Sequence, residues 1–530
     1  MRRGVAGALA TASLLALAAC APDPSITALE PTPIAASSTP SPGTVASSTS
    51  LPTPPTLPSD PEPLPTEPPA PTLPPIVEPE VYTEVPLAEV VDVGDAKVPR
   101  EHDALLAVAL VDIDAWLADE LPAAFNIDWQ PLEGGVWAGY PERAADLPGC
   151  GEDATTYDDL VLYAAFYCEF GDFMAYDDGD TDASVIVPLA DDLGPAVLGV
   201  VLAHEYGHAV QQRTGVLERR LPTVYTEQQA DCIAGAWVGR TYRGESPNLR
   251  LGDADLRAGL VAMVEVRDPV GVDQFEVGGH GTAFDRVGAF QYGFTGGLAR
   301  CAGLIDEPLP LMPNEFQTVG DRTRGGSASY DCSDAQPGEE CTPAPEFLAA
   351  DLNHYWQDAV PDFPTLEAVA VDDFAGFTCP EQVLVSEAVA YCPQAATIAY
   401  DEPYVLDLYD EYGDFTLGYL YGIAWGAVQQ ERTGSTLTGE ARQLQLDCWT
   451  GAWVADITPD EFGRTRRLED RDGDGEPDST VSSSPGDLDE AVRMAILLGD
   501  LGARVDRVGS PFEKIEHFRA GVLGGPDACT

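Results

Sequence analysis

The chain has 530 residues and a formal net charge of -60, from 88 acidic against 28 basic side chains. Only two lysines occur, Lys97 and Lys514. This balance argues against nucleic-acid binding and against electrostatic attraction to anionic lipid, and it suits an extracytoplasmic surface without bearing on the fold.

At the N-terminus, Arg2 and Arg3 precede an apolar run to Leu17, and Leu17-Ala18-Ala19-Cys20 looks like a lipobox. Residues 1–19 read as a lipoprotein signal peptide, cut before Cys20, whose thiol and new amino group would carry lipid. The alternative is an ordinary signal peptide with an incidental cysteine. No later stretch has the length of a spanning helix, so lipid would be the sole anchor and the expected location is the outer face of the cell membrane. Residues 20–85, rich in Pro, Ser and Thr, cannot bury a core and read as a disordered tether. At roughly 3.1 Å per residue the tether could reach on the order of 200 Å.

From about residue 100 the composition is globular and long enough for two domains. In the first, residues 100–305, an apolar run leads into His204-Glu205-Tyr206-Gly207-His208. The pattern predicts a helix capped by Asp192, with Pro195 in its first turn and an end at Thr214-Gly215. On it, His204 and His208 share one face and can reach one zinc ion, with Glu205 placed to take a proton from a zinc-bound water. A catalytic zinc needs a third protein ligand. Glu227 is the candidate, with Asp231 four residues on and on the same face, able to accept the second ring N–H of a ligand histidine. The competing reading is a solvated acidic helix start.

These residues, with Ala230, Cys232, Ala234, Gly235 and Trp237, resemble the neutral zinc metallopeptidases, bacterial proteins with HEYGH, a Val-Gln pair and then E-x-x-A-D-C-x-A-G-x-W. The resemblance extends to Tyr167-Cys168 and to His280-Gly281-Thr282, Arg286, Phe290 and Gly293. It implies one zinc held by His204, His208 and Glu227, with Glu205 as general base. The sequence departs from the pattern at Ala209, Glu169 and Ala289; none is a proposed ligand, but the departures imply a distant member, so substrate preference does not carry over.

The globular part also reads as an internal duplication, with copies at 100–305 and 345–530 and a linker at 306–344. Ala209-Val210-Gln211-Gln212 recurs as Ala427-Val428-Gln429-Gln430, Asp231-Cys232 as Asp447-Cys448, and Gly235-Ala236-Trp237-Val238 as Gly451-Ala452-Trp453-Val454. Laid on this match, His204, Glu205 and His208 fall on Gly422, Ile423 and Gly426, Glu227 on Gln443 and His280 on Val508. The second copy should fold like the first yet hold no catalytic zinc. His280, lost together with the ligands, could donate to a developing oxyanion or serve a local turn.

With Cys20 set aside, ten cysteines remain, an even number suited to an oxidising compartment. The repeat pairs Cys150 with Cys168, Cys379 with Cys392, Cys232 with Cys301 and Cys448 with Cys529, leaving Cys332 and Cys341 to close a short loop. An insertion in the second copy places Asp470, Asp472, Asp474, Glu476 and Asp478 around a glycine turn, which suits calcium or is a bare solvated loop.

The expected fold class is α+β and zincin-like, with two homologous, mainly helical domains carrying small strands. The expected activity is that of an extracytoplasmic, lipid-anchored zinc peptidase acting on peptide or protein substrates, with one Zn²⁺ per chain and no nucleic-acid partner. The rival is a non-enzymatic cell-surface scaffold or binding protein with a vestigial metal site.

Overall fold

A computed structural model describes residues 80–151, 155–316, 319–333, 341–459, 481–499 and 509–529. Cys20, Val508 and the acidic loop from Asp470 to Asp478 lie outside the described residues. The folded body starts earlier than composition suggests. Strand β1 (Glu80–Val81) pairs antiparallel with β5 (Leu249–Arg250), within the stretch assigned to the tether. Val91 is buried and Asp92 bridges to Trp137, so residues 80–99 belong to the body. Among the described residues no helix is long and apolar enough to cross a membrane.

The elements mix helix and strand, an α+β arrangement, and fall into two series of the same order. The first runs through helix Asp103–Phe125, strands β2 (Gly135–Gly139), β3 (Ala165–Cys168) and β4 (Phe173–Asp177), and helices Ala196–Thr214, Thr223–Tyr242, Asp253–Glu265 and Ala283–Gly296. The second runs through helix Ala344–Ala359, strands β6 (Glu367–Val371), β7 (Val383–Ser386), β8 (Val389–Cys392) and β9 (Thr397–Asp401), and helices Phe415–Thr433, Gly439–Ile457, Asp487–Leu498 and Pro511–Gly524. In each sheet a parallel pair (β2 with β4, β6 with β9) is extended by an antiparallel strand (β3, β8). Strand β7 adds only to the second sheet, along the free edge of β8. The stretch read as a linker is partly packed: the Asn314 side-chain amide donates to Pro269 and Val272 carbonyls, and the Met312 N–H to Asp285.

Each series centres on two helices that cross at glycine. A Cβ on Gly235 would lie 1.9 Å from the Phe290 carbonyl oxygen, and one on Gly293 would lie 1.8 Å from that of Cys232. The second series repeats the contact, Gly451 on Phe518 and Gly521 on Cys448. All five expected disulfides form: Cys150–Cys168, Cys232–Cys301, Cys332–Cys341, Cys379–Cys392 and Cys448–Cys529. Two of them start beside these crossings. The tryptophan after each first glycine is buried, and its indole N–H donates to a buried aspartate on the opening helix, Trp237 to Asp112 and Trp453 to Asp351. With backbone against backbone there is no side chain to move aside, so a methyl must push the helices apart. Gly293→Ala and Gly521→Ala should each cost about 1–3 kcal/mol, checked by denaturant unfolding.

The two series meet along their last two helices. Phe294 packs on Phe512 and Phe284 on Phe518. The Gln291 amide donates to the Phe512 carbonyl, the Phe284 N–H to Asp489, and Arg519 to the Phe284 carbonyl. Arg267 pairs with Asp489 and Arg493 with Glu265. Asp285 lies in this seam, 2% exposed, with Oδ2 unpartnered. Burial pushes its carboxyl up to about 7, against only partial relief from hydrogen bonds and Arg519. The folded state therefore holds the proton more tightly than the unfolded chain, and stability falls as pH rises from the usual carboxyl range through 7. Asp285→Asn keeps an acceptor for the Met312 N–H and removes that loss. Its melting temperature should gain on the parent's between pH 4 and 7.5, a comparison that a series of thermal melts makes directly.

Candidate metal centre

The histidine helix, Ala196–Thr214, is buried on nearly every side, which is why its sequence reads as a continuous apolar run rather than a stripe. Its start differs from expectation. Asp192 ends a separate helix, Ile186–Leu193, and does not cap; Gly194 at φ 113° breaks the chain and Pro195 takes the N-cap position. The end is as expected, with Gly215 left-handed. The glutamate helix begins at Thr223, one turn before Glu227, so Glu227 is a buried helical residue and not a solvated start. The two helices approach at Gly207, where a Cβ would lie 2.6 Å from Ala230 Cα. The glycine inside the motif is what lets the glutamate reach the histidines.

Three donors converge. His204 Nε2 stands 3.2 Å from His208 Nε2 and 3.0 Å from Glu227 Oε2, and His208 Nε2 stands 3.3 Å from Glu227 Oε1. The far side of each ring is already committed. His204 Nδ1 lies 2.7 Å from Asp231 Oδ1, and His208 Nδ1 lies 2.9 Å from Gln211 Oε1. Both partners are acceptors, so each Nδ1 carries the hydrogen and each Nε2 offers a bare lone pair. Three such groups so close together call for positive charge among them, either protons on the ring Nε2 atoms or a bound cation that takes their place. Zinc ligands at 2.0–2.2 Å in a tetrahedron stand about 3.3 Å apart or slightly more, close to the spacing found here. The residues present fit zinc, and Glu205, 7% exposed between the two histidines, is close enough for its charge to act on His208.

The electrostatics are those of a site built around positive charge. Burial pulls the His204 imidazole down, but Asp231 and Glu227 outweigh it and push it up to about 10. Burial would raise Glu227, yet the charges of His208 and His280 and bonds from both ligand histidines hold it well below the usual range. Asp231 is fully buried and accepts from Arg286 through both oxygens, Nε to Oδ2 at 3.0 Å and an Nη to Oδ1 at 2.7 Å. Arg286 is fixed in turn by the Val266 carbonyl at 2.6 Å.

His280 sits in the turn before helix Ala283–Gly296. The Asp268 carboxylate accepts the N–H groups of His280 and Gly281, and His280 Nδ1 lies 3.4 Å from it. The ring is a quarter exposed and acts on Glu227 by charge, but it is not one of the three converging groups. His102, by contrast, belongs to a filled cluster: Lys97 Nζ bonds Asp103 at 2.7 Å and Asp178 at 3.0 Å.

In the second series the match of histidine positions needs correcting by one residue. Helix Phe415–Thr433 has the same 19 residues as Ala196–Thr214, and both end at a left-handed glycine. Buried Gln430 donates to the Arg442 carbonyl as Gln211 does to that of Thr226. His204, Glu205 and His208 therefore correspond to Ile423, Ala424 and Ala427, not to Gly422, Ile423 and Gly426. The shorter Ala-Val-Gln-Gln match missed the extra residue, Glu431. The conclusion about donors is unchanged, since none of the three offers one. Gln443, opposite Glu227, donates to the Val385 carbonyl of β7. Asp447, opposite Asp231, is held by Lys514 at 2.8 and 2.9 Å and by the Tyr419 hydroxyl at 2.7 Å.

Sequence reasoning did not assign roles to Arg286, Gln211 or Gly207, although all lie in the quoted motifs. The signal for Arg286 was present, as the second series keeps a cation, Lys514, at the matching place.

No family model matches the chain, and no solved structure matches it. It is similar to uncharacterized proteins of Mycobacterium bovis and Mycobacterium tuberculosis, 36% identical over 152 residues. The match takes in 25% of this chain, and the chain spans about half the length (52%) of these curated relatives.

Acceptors behind metal-binding imidazoles set their tautomer and basicity, and losing one typically costs about 10–100-fold in metal affinity. Asp231→Asn leaves the buried Arg286 charge without its partner, so it should lower stability as well as weaken binding of a zinc ion held here by that order. Competition against a chromophoric chelator measures the binding.

Proposed function

We propose that the chain is a zinc-dependent peptidase of zincin-like fold. In this reading it has two homologous domains, the second without the catalytic donors, and is held outside the cytoplasm by lipid on Cys20. The observation that carries the reading is the convergence of two imidazole lone pairs and the Glu227 carboxylate, with both imidazole tautomers fixed from behind and a buried glutamate beside them.

Zinc, when bound, would polarise a scissile carbonyl and make water acidic at neutral pH. His204, His208 and Glu227 would hold it. Glu205 would take the proton from the attacking water and return it to the departing amine. Asp231, itself clamped by Arg286, keeps the His204 Nε2 lone pair aimed at the site. His280, oriented through Asp268, would donate to the developing oxyanion in this reading; its contacts with Asp268 equally serve the local turn. Calcium at Asp470 to Asp478 would be a separate oxygen site.

The purified chain is expected to carry about one zinc and to cleave casein or a peptide library in a chelator-sensitive manner. Glu205→Gln should lower turnover by about two to four decades with zinc retained, and His204→Ala should bring zinc near zero. Unchanged turnover in Glu205→Gln would sink the mechanism. No cleavage by the zinc-loaded parent would favour the cell-surface scaffold instead.

A further inference from the structure

The second series contains a cluster of carboxylates away from the metal centre. Asp414 precedes helix Phe415–Thr433, and Asp487 and Glu490 share a face in the first turn of helix Asp487–Leu498. One carboxylate oxygen from each lies within 4.8 Å of the others. Asp414 is 6% and Asp487 7% exposed. Each is locked by backbone: Glu490 accepts the Phe415 N–H at 2.7 Å, Asp487 that of Ser484 at 2.8 Å, and Asp414 that of Ala328. Asp414 Oδ1 is nonetheless buried with no hydrogen-bond partner.

The first series lacks the cluster. Gly194 and Gly413 both stand at positive φ just before their helices, and Gly252-Asp253 and Gly486-Asp487 both open theirs. In that register Asp414 and Glu490 replace Pro195 and Leu256. Two positions that are apolar in the first series are both acidic in the second, at neighbouring points of a packed interior. Arg493 acts on Glu490 and Arg324 on Asp414, but burial dominates both carboxyls and holds them above their usual range. Like charges so placed are costly unless a cation or a shared proton lies among them. The donors are oxygen only, with no imidazole or thiolate, which disfavours zinc and suits a hard ion with flexible coordination.

We propose that Asp414, Asp487 and Glu490 form a calcium site that clamps helix Phe415–Thr433 to helix Asp487–Leu498. It is independent of the zinc centre and of the acidic loop at 470–478. The test uses the full chain dialysed into calcium-free buffer with zinc retained, then titrated with calcium alone and followed by calorimetry and thermal melts. Calcium should be taken up and should raise the melting temperature, and Asp472→Asn with Asp474→Asn should leave that rise intact. Asp414→Ala with Glu490→Leu should abolish the rise and melt higher than the parent without calcium. Glu490→Gln, which keeps size and shape, serves as a second variant and should also abolish it. A calcium response that survives in Glu490→Gln overturns the proposal. So does a parent that ignores calcium but gains stability on acidification below pH 6, which would assign the cluster to a shared proton.

Discussion

Asp231 is the constraint on which the site depends. Its carboxylate is fully buried, so its charge must be met within the protein, and it is met from two helices, by His204 and by Arg286. One group thus ties the histidine, glutamate and arginine helices together and settles the orientation of an imidazole. The corresponding Asp447 faces the same demand and satisfies it differently, with Lys514 and Tyr419. Because the acid keeps partners in both places, the three-helix tie does not need the histidine. The packing can therefore stand without a histidine at that place, and the second series makes its tie around Asp447 with none.

Much of this was legible in the chain. The i, i+4 histidines, the acid four residues before Asp231 and the paired cysteines each follow from short-range rules, and the structure brings those residues together. Features set by tertiary contact were harder to read. Asp192 looks like a cap, but Gly194 ends its helix first. Residues 80–85 look like tether because composition cannot reveal a two-residue strand whose partner, Leu249–Arg250, lies far along the chain. The one-residue error in matching the second series arose because identical letters outvoted geometry, and only the buried glutamines and the helix ends reveal the true register.

The sheets show a similar division. β3 and β8 are equivalent antiparallel strands, but only β8 has its outer edge covered, by β7. The carbonyl of Val385 on β7 accepts from Gln443, at the position that Glu227 occupies in the first series. Among the described residues no strand pairs along the outer edge of β3, beside the three converging groups, whereas β7 lies along that of β8.

The seam between the halves carries one more implication. Arg519, from the half without donors, bonds the Phe284 carbonyl and lies over the Phe284 ring, two residues from Arg286. Phe512 and Phe518 cover Phe294 and Phe284 on the same helix. The second series is thus a buttress for the helix that steadies Asp231. A chain shortened to its first series would lay bare this aromatic face and slacken the anchor behind His204. Lacking the three converging groups and being dispensable are different properties, and this seam makes the second series a permanent partner of the first.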